Sequence, residues 1–153
     1  MNQYSQLLYY IKALGESDEF INTITKGEDI DLDKANIFPL LNIEINGGSF
    51  TNGSTLVFNV ELNALDIRDV NKEVSTNKFW LNSNDVDNHN EMLAVLNRIW
   101  TKMLKDFDNN NITASESPSF IKITDENTNR LDGWTLTFDV EMPNTTLRLC
   151  DEC

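Results

Sequence analysis

The sequence has few basic residues, and this shortage excludes several kinds of partner. Its 12 Lys and Arg residues stand against 25 Asp and Glu residues, which gives a formal net charge of −13. A nucleic-acid-binding protein needs a basic surface, and an anionic membrane surface would also repel this chain. The acidic excess is consistent with solubility alone, with a surface for a basic partner, or with a wall that repels DNA.

Long apolar runs, targeting signals and a disulfide framework are also missing. No run approaches the roughly 20 apolar residues of a membrane span. The N-terminal Met1–Tyr4 has no basic residue and no cleavage site follows it, so we expect no signal peptide. Cys150 and Cys153 are the two cysteines, and both lie in the last four residues, which favours a reducing compartment. We therefore expect a soluble protein that is made in a cytoplasm.

Residues that could carry chemistry are sparse. A Ser or Cys nucleophile usually needs a His base, and we interpret the single histidine, His89, as a solvated residue in the first turn of a helix. Cys150 and Cys153 have the spacing of a zinc half-site or of a redox pair. Further zinc ligands are missing and two acidic residues separate the thiols, which disfavours a redox pair, so we interpret both as free thiols. The alternating acids of residues 29–33 resemble a calcium loop without its Gly and Glu. We expect no enzyme, no metal and no cofactor.

A long amphipathic helix is the clearest element of the chain. Apolar residues recur at helical spacing from Asn88 to Phe107, and Asn88 with Glu91 resembles a capping box. The apolar stripe is wider than one packing seam needs, so we expect it to contact both a sheet and a further element. The stripe consists of Met92, Leu96, Ile99, Met103 and Phe107, with Leu93, Trp100 and Leu104 on its flank.

A shorter helix is predicted near the N-terminus, with Gly15 as its C-terminal stop. Tyr9 and Tyr10 lie on its flanks. Because so short a helix is marginal alone, we expect it to dock on the free flank of the long helix or, alternatively, on a neighbouring subunit. Its apolar face consists of Tyr4, Leu7, Leu8, Ile11 and Leu14.

Strands are predicted before and after the long helix. The longest is Ser54–Ile67, and Gly133–Met142 shows the same alternation of apolar and polar residues. Asn46-Gly47-Gly48 and Asn52-Gly53 are strong turn signals. Shorter strands are predicted at Phe20–Thr25, Ile37–Ile45, Pro118–Thr124 and Thr145–Leu149.

The clustering of strands on both sides of one helix predicts an α+β fold. We expect a mostly antiparallel sheet packed on the long helix, with the short N-terminal helix beside it. Linkers are short, so residues 1–153 are predicted to form a single domain. Phe79-Trp80-Leu81 is an apolar island in a polar loop, and it is either a plug for the core or a contact with a partner subunit.

The order of these elements resembles that of tail-terminator and head–tail connector proteins of tailed phages, including crAss-like and other Bacteroidetes phages. The resemblance rests on Ile37–Ile45, on Asn90–Leu93 at the head of the long helix, and on Trp134–Met142. An Asn-rich composition is a further similarity.

This resemblance implies a structural virion protein that forms a ring of about six or twelve copies at the neck or tail. Such a protein, made in the host bacterial cytoplasm, would contact portal-side, connector or tail-tube neighbours and let DNA pass without binding it. Acidic residues around a channel suit that role, because they repel phosphates. The candidate subunit-interface residues are Tyr9, Tyr10, Phe79, Trp80, Leu81 and Trp100.

Two alternatives remain open. An acidic inhibitor that mimics DNA would carry its charge on one dense face, whereas the acids here are spread along strands and loops. A small β-rich module that binds a ligand or a protein would be favoured by an exposed Trp80 or Trp100 beside a groove.

Overall fold

The computed structural model describes residues 2–27, 37–69, 78, 83–108, 111–126 and 130–144. Within these residues the chain forms two helices and six strands. The helices are α1 (Gln3–Glu16) and α2 (Asp85–Asp108). The strands are β1 (Thr23–Thr25), β2 (Leu40–Thr51), β3 (Thr55–Ile67), β4 (Thr113–Ala114), β5 (Ser119–Glu126) and β6 (Leu131–Pro143).

The six strands form one sheet in the order β1-β2-β3-β6, with β4 and β5 both pairing on the outer side of β6. All pairs are antiparallel except β1 with β2. The two long strands β3 and β6 pair along their whole length, from Thr55 opposite Pro143 to Ile67 opposite Leu131. The predicted α+β class, with a mostly antiparallel sheet, is confirmed.

The main core lies between the two helices and one face of the sheet. The predicted apolar stripe of α2 is buried, and it meets alternate residues of β3 and β6. Helix α1 packs beside α2, over β1 and β2. The buried residues include Leu7, Ile11, Leu41, Ile43, Val60, Leu62, Met92, Leu96, Ile99, Met103, Phe107, Leu136, Phe138, Val140 and Met142.

Helix α1 docks on the sheet and on α2 inside the same chain, but not on the predicted flank of α2. Tyr10 of α1 meets Asp106 and Phe107, whereas Leu93 and Trp100 of the predicted flank face the segment between β4 and β5. Asn2 is its N-cap, and its side-chain oxygen accepts from Ser5 N–H. Gly15 lies within the helix and does not stop it. A Cβ at Gly15 would come within 2.8 Å of Leu41 Cδ2, so glycine lets the helix approach the sheet closely.

Helix α2 begins one turn earlier than predicted, at Asp85. The capping box at Asn88 is therefore wrong. Asn88 is buried in the first turn, and its side-chain amide donates to the main-chain oxygen of Ile67 at 2.8 Å. The Ser83 hydroxyl accepts from Asp85 N–H at the true start of the helix.

The predicted turn at Asn46-Gly47-Gly48 is also wrong, because β2 runs through it. The strand register shifts between Ile45 and Gly47, which marks a β-bulge. A Cβ at Gly48 would lie 1.9 Å from the main-chain oxygen of Val57, so close approach of two strands explains this glycine. The turn at Asn52-Gly53 is confirmed, and both residues have the positive φ that a tight hairpin requires.

The remaining predictions fared unevenly. The strand predicted at Phe20–Thr25 is shorter, and strand β4 was not predicted. The hairpin of β5 and β6 is confirmed. Residues 28–36, 79–82 and 145–153 lie outside the described residues, and with them the acidic run 29–33, Phe79-Trp80-Leu81, the last predicted strand and both cysteines. No helix of the described part is long and apolar enough to cross a membrane.

Candidate functional site

A buried polar cluster lies where the first turn of α2 meets β5 and β6. The side chain of Arg68 donates two hydrogen bonds to the carboxylate of Asp132, which is completely buried. His89 is buried, and its Nε2 lies 2.8 Å from the main-chain oxygen of Ile123. The prediction of a solvated His89 is wrong, because the earlier start of α2 turns this residue onto the sheet.

This cluster serves the fold better than it serves catalysis. A contact with a carbonyl oxygen requires a proton on His89 Nε2, so that nitrogen is unavailable as a base. The main-chain oxygen of His89 accepts from the indole N–H of Trp134 at 2.7 Å. The nearby Ser83 hydroxyl donates to Asp85. In the described ranges, no group of three or more His, Cys, Asp or Glu side chains could hold a metal ion.

An apolar groove of about 490 Å³ runs between α2 and the segment that leads from β4 into β5. Its volume lies within the range of pockets that take ligands. Among the residues that line it, Glu116 carries the single charge; the others include Leu93, Ala94, Trp100, Pro118, Phe120 and Leu136.

Two aromatic side chains give the groove its shape. Trp100 is half-buried, and its indole N–H donates to the main-chain oxygen of Ser115 at 3.0 Å, which fixes the ring. Phe120 is 52% exposed and rests edge-on against Trp134, with ring centroids 5.4 Å apart. The groove therefore presents two aromatic rings, of which that of Trp100 is held in place by a hydrogen bond.

A second apolar surface lies at the opposite edge of the sheet, on the hairpin of β2 and β3. Phe50 near the hairpin tip is 79% exposed. At the base of the hairpin, Tyr4 of α1 lies against Phe58, with ring centroids 6.5 Å apart. A shallow groove of about 350 Å³ connects these rings. We call this the hairpin surface, defined by Tyr4, Asn46–Phe50 and Leu56–Phe58.

The structure separates the residues that the sequence proposed for a subunit interface. Tyr9 is exposed on α1, and a role at an interface stays a prediction for it. Tyr10 is buried, with its ring 5.2 Å from that of Phe107 and its hydroxyl donating to Asp106. Trp100 lines the apolar groove. Phe79, Trp80 and Leu81 lie outside the described residues.

The sequence reasoning missed Phe50 and Phe120 as surface residues. Phe50 lies between the two predicted turns, Asn46-Gly47-Gly48 and Asn52-Gly53. Phe120 lies in the predicted strand Pro118–Thr124, for which the sequence predicts no buried face. The signal that could have found Phe50 is the absence of any charged residue between Glu44 and Glu61.

The contact between Tyr10 and Asp106 shifts the pKa of both side chains. Burial raises the pKa of Tyr10, and the hydrogen bond to the Asp106 carboxylate and its negative charge raise it further. Burial alone would raise the pKa of Asp106. The hydrogen bonds from Lys102 and Tyr10 and the charge of Lys102 outweigh burial, so the pKa of Asp106 is lowered. The tyrosine thus stays protonated and the aspartate ionised across the neutral range.

No protein-family model matches the chain, and no curated protein matches it either.

Proposed function

We propose that the chain is a structural subunit that assembles with copies of itself into a ring, similar in role to phage tail terminators and head–tail connectors. The observation that carries the proposal is the pair of apolar surfaces at opposite edges of the sheet, one around Phe50 and one around Trp100 and Phe120. A head-to-tail ring requires two different surfaces on every subunit, since each copy gives one surface and receives the other.

The charge of the chain supports the same role. With a net charge of −13 per copy, a ring would surround its channel with carboxylates, which repel the phosphates of DNA. DNA could then pass without binding. In the virion the partners of such a ring would be the portal-side, connector or tail-tube proteins above and below it.

Native mass spectrometry and negative-stain imaging of the purified chain test this proposal. We expect closed rings of about six or twelve copies, and a larger assembled fraction when salt rises from about 0.05 M to 0.5 M, because salt screens repulsion between acidic copies. A chain that stays monomeric at all concentrations, and also when the proteins encoded beside it are added, would contradict the proposal.

The second candidate is a binding module, and the position of Trp100 favours it. An aromatic ring beside an apolar groove is a common platform for a peptide or a sugar. The indole N–H of Trp100 is already bonded to Ser115, so a ligand would contact the ring face. Two-dimensional NMR with peptide and glycan mixtures tests this function. Saturable shifts confined to α2 and β5 in a monomeric chain would support it over the ring.

A further inference from the structure

The outer part of the hairpin of β2 and β3, residues 45–60, is an uncharged segment of a strongly acidic chain. No charged residue lies between Glu44 and Glu61, although the chain has 25 acidic residues. Two copies with a charge of −13 each repel one another, so contact is least opposed where both surfaces lack charge. The hairpin surface is such a place.

The groove beside α2 is also mostly apolar and nearly uncharged. Most of the residues that line it are apolar, and Glu116 is the charged residue among them. Phe50 presents an exposed ring, and the groove presents the half-buried ring of Trp100 and the exposed ring of Phe120. Aromatic rings that enter apolar pockets are typical anchors of protein interfaces.

We propose that the hairpin of one copy docks into the groove of the next copy, with Phe50 against Trp100 and Phe120. This inference rests on the proposed function, because it names the contact that joins neighbouring copies in the ring.

The strand registers place Phe50 and Phe120 on the same face of the sheet. Phe50 pairs with Leu56, which alternates with the core residue Val60 on the helix-bearing face. Phe120 pairs with the core residue Leu136. Because directly paired residues project to the same side, both phenylalanines lie on the helix-bearing face. A sheet that continues from copy to copy therefore keeps them on one side.

Strand directions also fit a continued sheet. β2 is antiparallel to β3, β3 to β6 and β6 to β5, so β2 runs opposite to β5. Within the described residues, β1 covers β2 only at Leu40–Asn42, and no strand pairs with the outer side of β5. Two copies in the same orientation can thus join Asn46–Thr51 to Ser119–Ile121 as an antiparallel pair.

The registers further require that neighbouring copies be staggered. Phe120 lies level with Ile43, through the pairs Phe120 with Leu136, Leu136 with Leu62 and Leu62 with Ile43. Phe50 pairs with Leu56, six residues before Leu62 on β3, so bringing Phe120 level with Phe50 is a slide of roughly 20 Å along the strands, at about 3.4 Å per residue. A closed ring with this offset has strands inclined to its axis, as the strands of a barrel are.

Disulfide trapping between two differently tagged chains tests the contact. Both chains carry C150S and C153S; one also carries F50C, and the other S117C in the wall of the groove. Mild oxidation of the mixture should give a cross-linked heterodimer. The matched control replaces S117C by T137C, since Thr137 is exposed on the far face of β6, and it should give at least about tenfold less product.

Substitution of the anchor gives a second readout. Phe50→Ser should lower the assembled fraction in native mass spectrometry at least about tenfold, while the thermal unfolding of the monomer stays the same. Val86→Ser, at an apolar residue that is also exposed, should change neither measurement.

These outcomes separate the two proposals. If the wild-type chain forms rings, but F50S forms them equally well and F50C does not cross-link to S117C, the inference is overturned while the proposed function stands. The same result would follow if the groove held another protein and not a copy. If the wild-type chain forms no assemblies under any condition, the proposed function fails, and the inference fails with it.

Discussion

Arg68 holds the buried carboxylate of Asp132 through two parallel hydrogen bonds, Nε to Oδ2 at 2.8 Å and Nη2 to Oδ1 at 2.9 Å. Arg68 directly follows β3, and Asp132 lies near the start of β6, so the pair connects the end of one long strand to the beginning of its neighbour. A planar guanidinium suits this two-point contact with a carboxylate. The contact helps hold the end of β3 against the start of β6.

Arg68→Ala should destabilise the monomer by about 3–5 kcal/mol, because it removes the two charge-assisted hydrogen bonds that the completely buried Asp132 carboxylate accepts from Arg68. The control is Arg98→Ala, which removes the same two-point geometry from Asp18. The Arg98 side chain is 46% exposed and that of Asp18 is 5% exposed, so it is the arginine that lies in water. Water can reach the Asp18 carboxylate once Arg98 is removed, and the expected loss is about 1 kcal/mol or less. Urea denaturation of the two variants measures the difference. Equal losses would show that burial does not set the strength of the Arg68 contact.

Gly48→Ala should destabilise the hairpin strongly, by at least about 2 kcal/mol, because the new Cβ would meet the main-chain oxygen of Val57 at 1.9 Å. Gly47→Ala is the matched control. Its Cβ would meet only the Asn59 side chain, at 4.0 Å, so we expect a loss below about 1 kcal/mol. Thermal unfolding followed by circular dichroism compares them. If both alanines are tolerated, the strands do not approach as closely as described.

These glycines also show where sequence reasoning fails. β3 and β6 could be predicted because each strand shows its buried face in its own alternation, and the same holds for the stripe of α2. A glycine pair between apolar runs looks the same whether it forms a turn or a bulge. The neighbouring backbone decides between them, and the Val57 carbonyl that excludes a side chain at Gly48 lies across the sheet.

The candidate assembly surfaces were only partly predictable for a related reason. Trp100 was expected on the flank of α2, and it does lie there. The groove beside it exists because β5 pairs with β6 and brings Phe120 to the same face, which is a long-range relationship. The burial of His89 likewise depends on Ile123 and Trp134, which come more than 30 residues later.

Asp66→Asn should stabilise the protein at pH 7, by up to about 1 kcal/mol. Burial, followed by the charges of Glu91 and Asp132, raises the pKa of Asp66 above its ordinary 3.8, although a hydrogen bond from Ile67 N–H opposes this. The folded state therefore binds the proton more tightly than the unfolded state. The proton on Asp66 therefore stabilises the folded state. This contribution is fully present below pH 3.8 and is lost as the pH rises through the raised pKa of Asp66. The advantage of the variant should disappear below pH 3.8.

Asp85→Asn is the matched control, and its expected effect on stability at pH 7 has the opposite sign. The Ser83 hydroxyl is the main cause that lowers the pKa of Asp85, so its carboxylate stabilises the fold above its ordinary pKa of 3.8. The asparagine variant should be less stable than wild type at pH 7, and the two should converge in acid. Urea denaturation between pH 3 and pH 7 follows both variants. Parallel pH profiles for the two would contradict the assigned shifts.

Tyr10→Ala and Tyr9→Ala should separate a core residue from a surface residue on the same helix. Tyr10 is 6% exposed and packs on Phe107, so its removal should destabilise the monomer by about 3 kcal/mol or more and weaken the docking of α1. Tyr9 is 41% exposed, and its removal should cost less than about 1 kcal/mol. Hydrogen exchange of the α1 amides reports the docking, and native mass spectrometry reports assembly. An interface role for Tyr9 requires Tyr9→Ala to lower the assembled fraction while α1 keeps its protection; unchanged assembly would remove Tyr9 from the candidate interface.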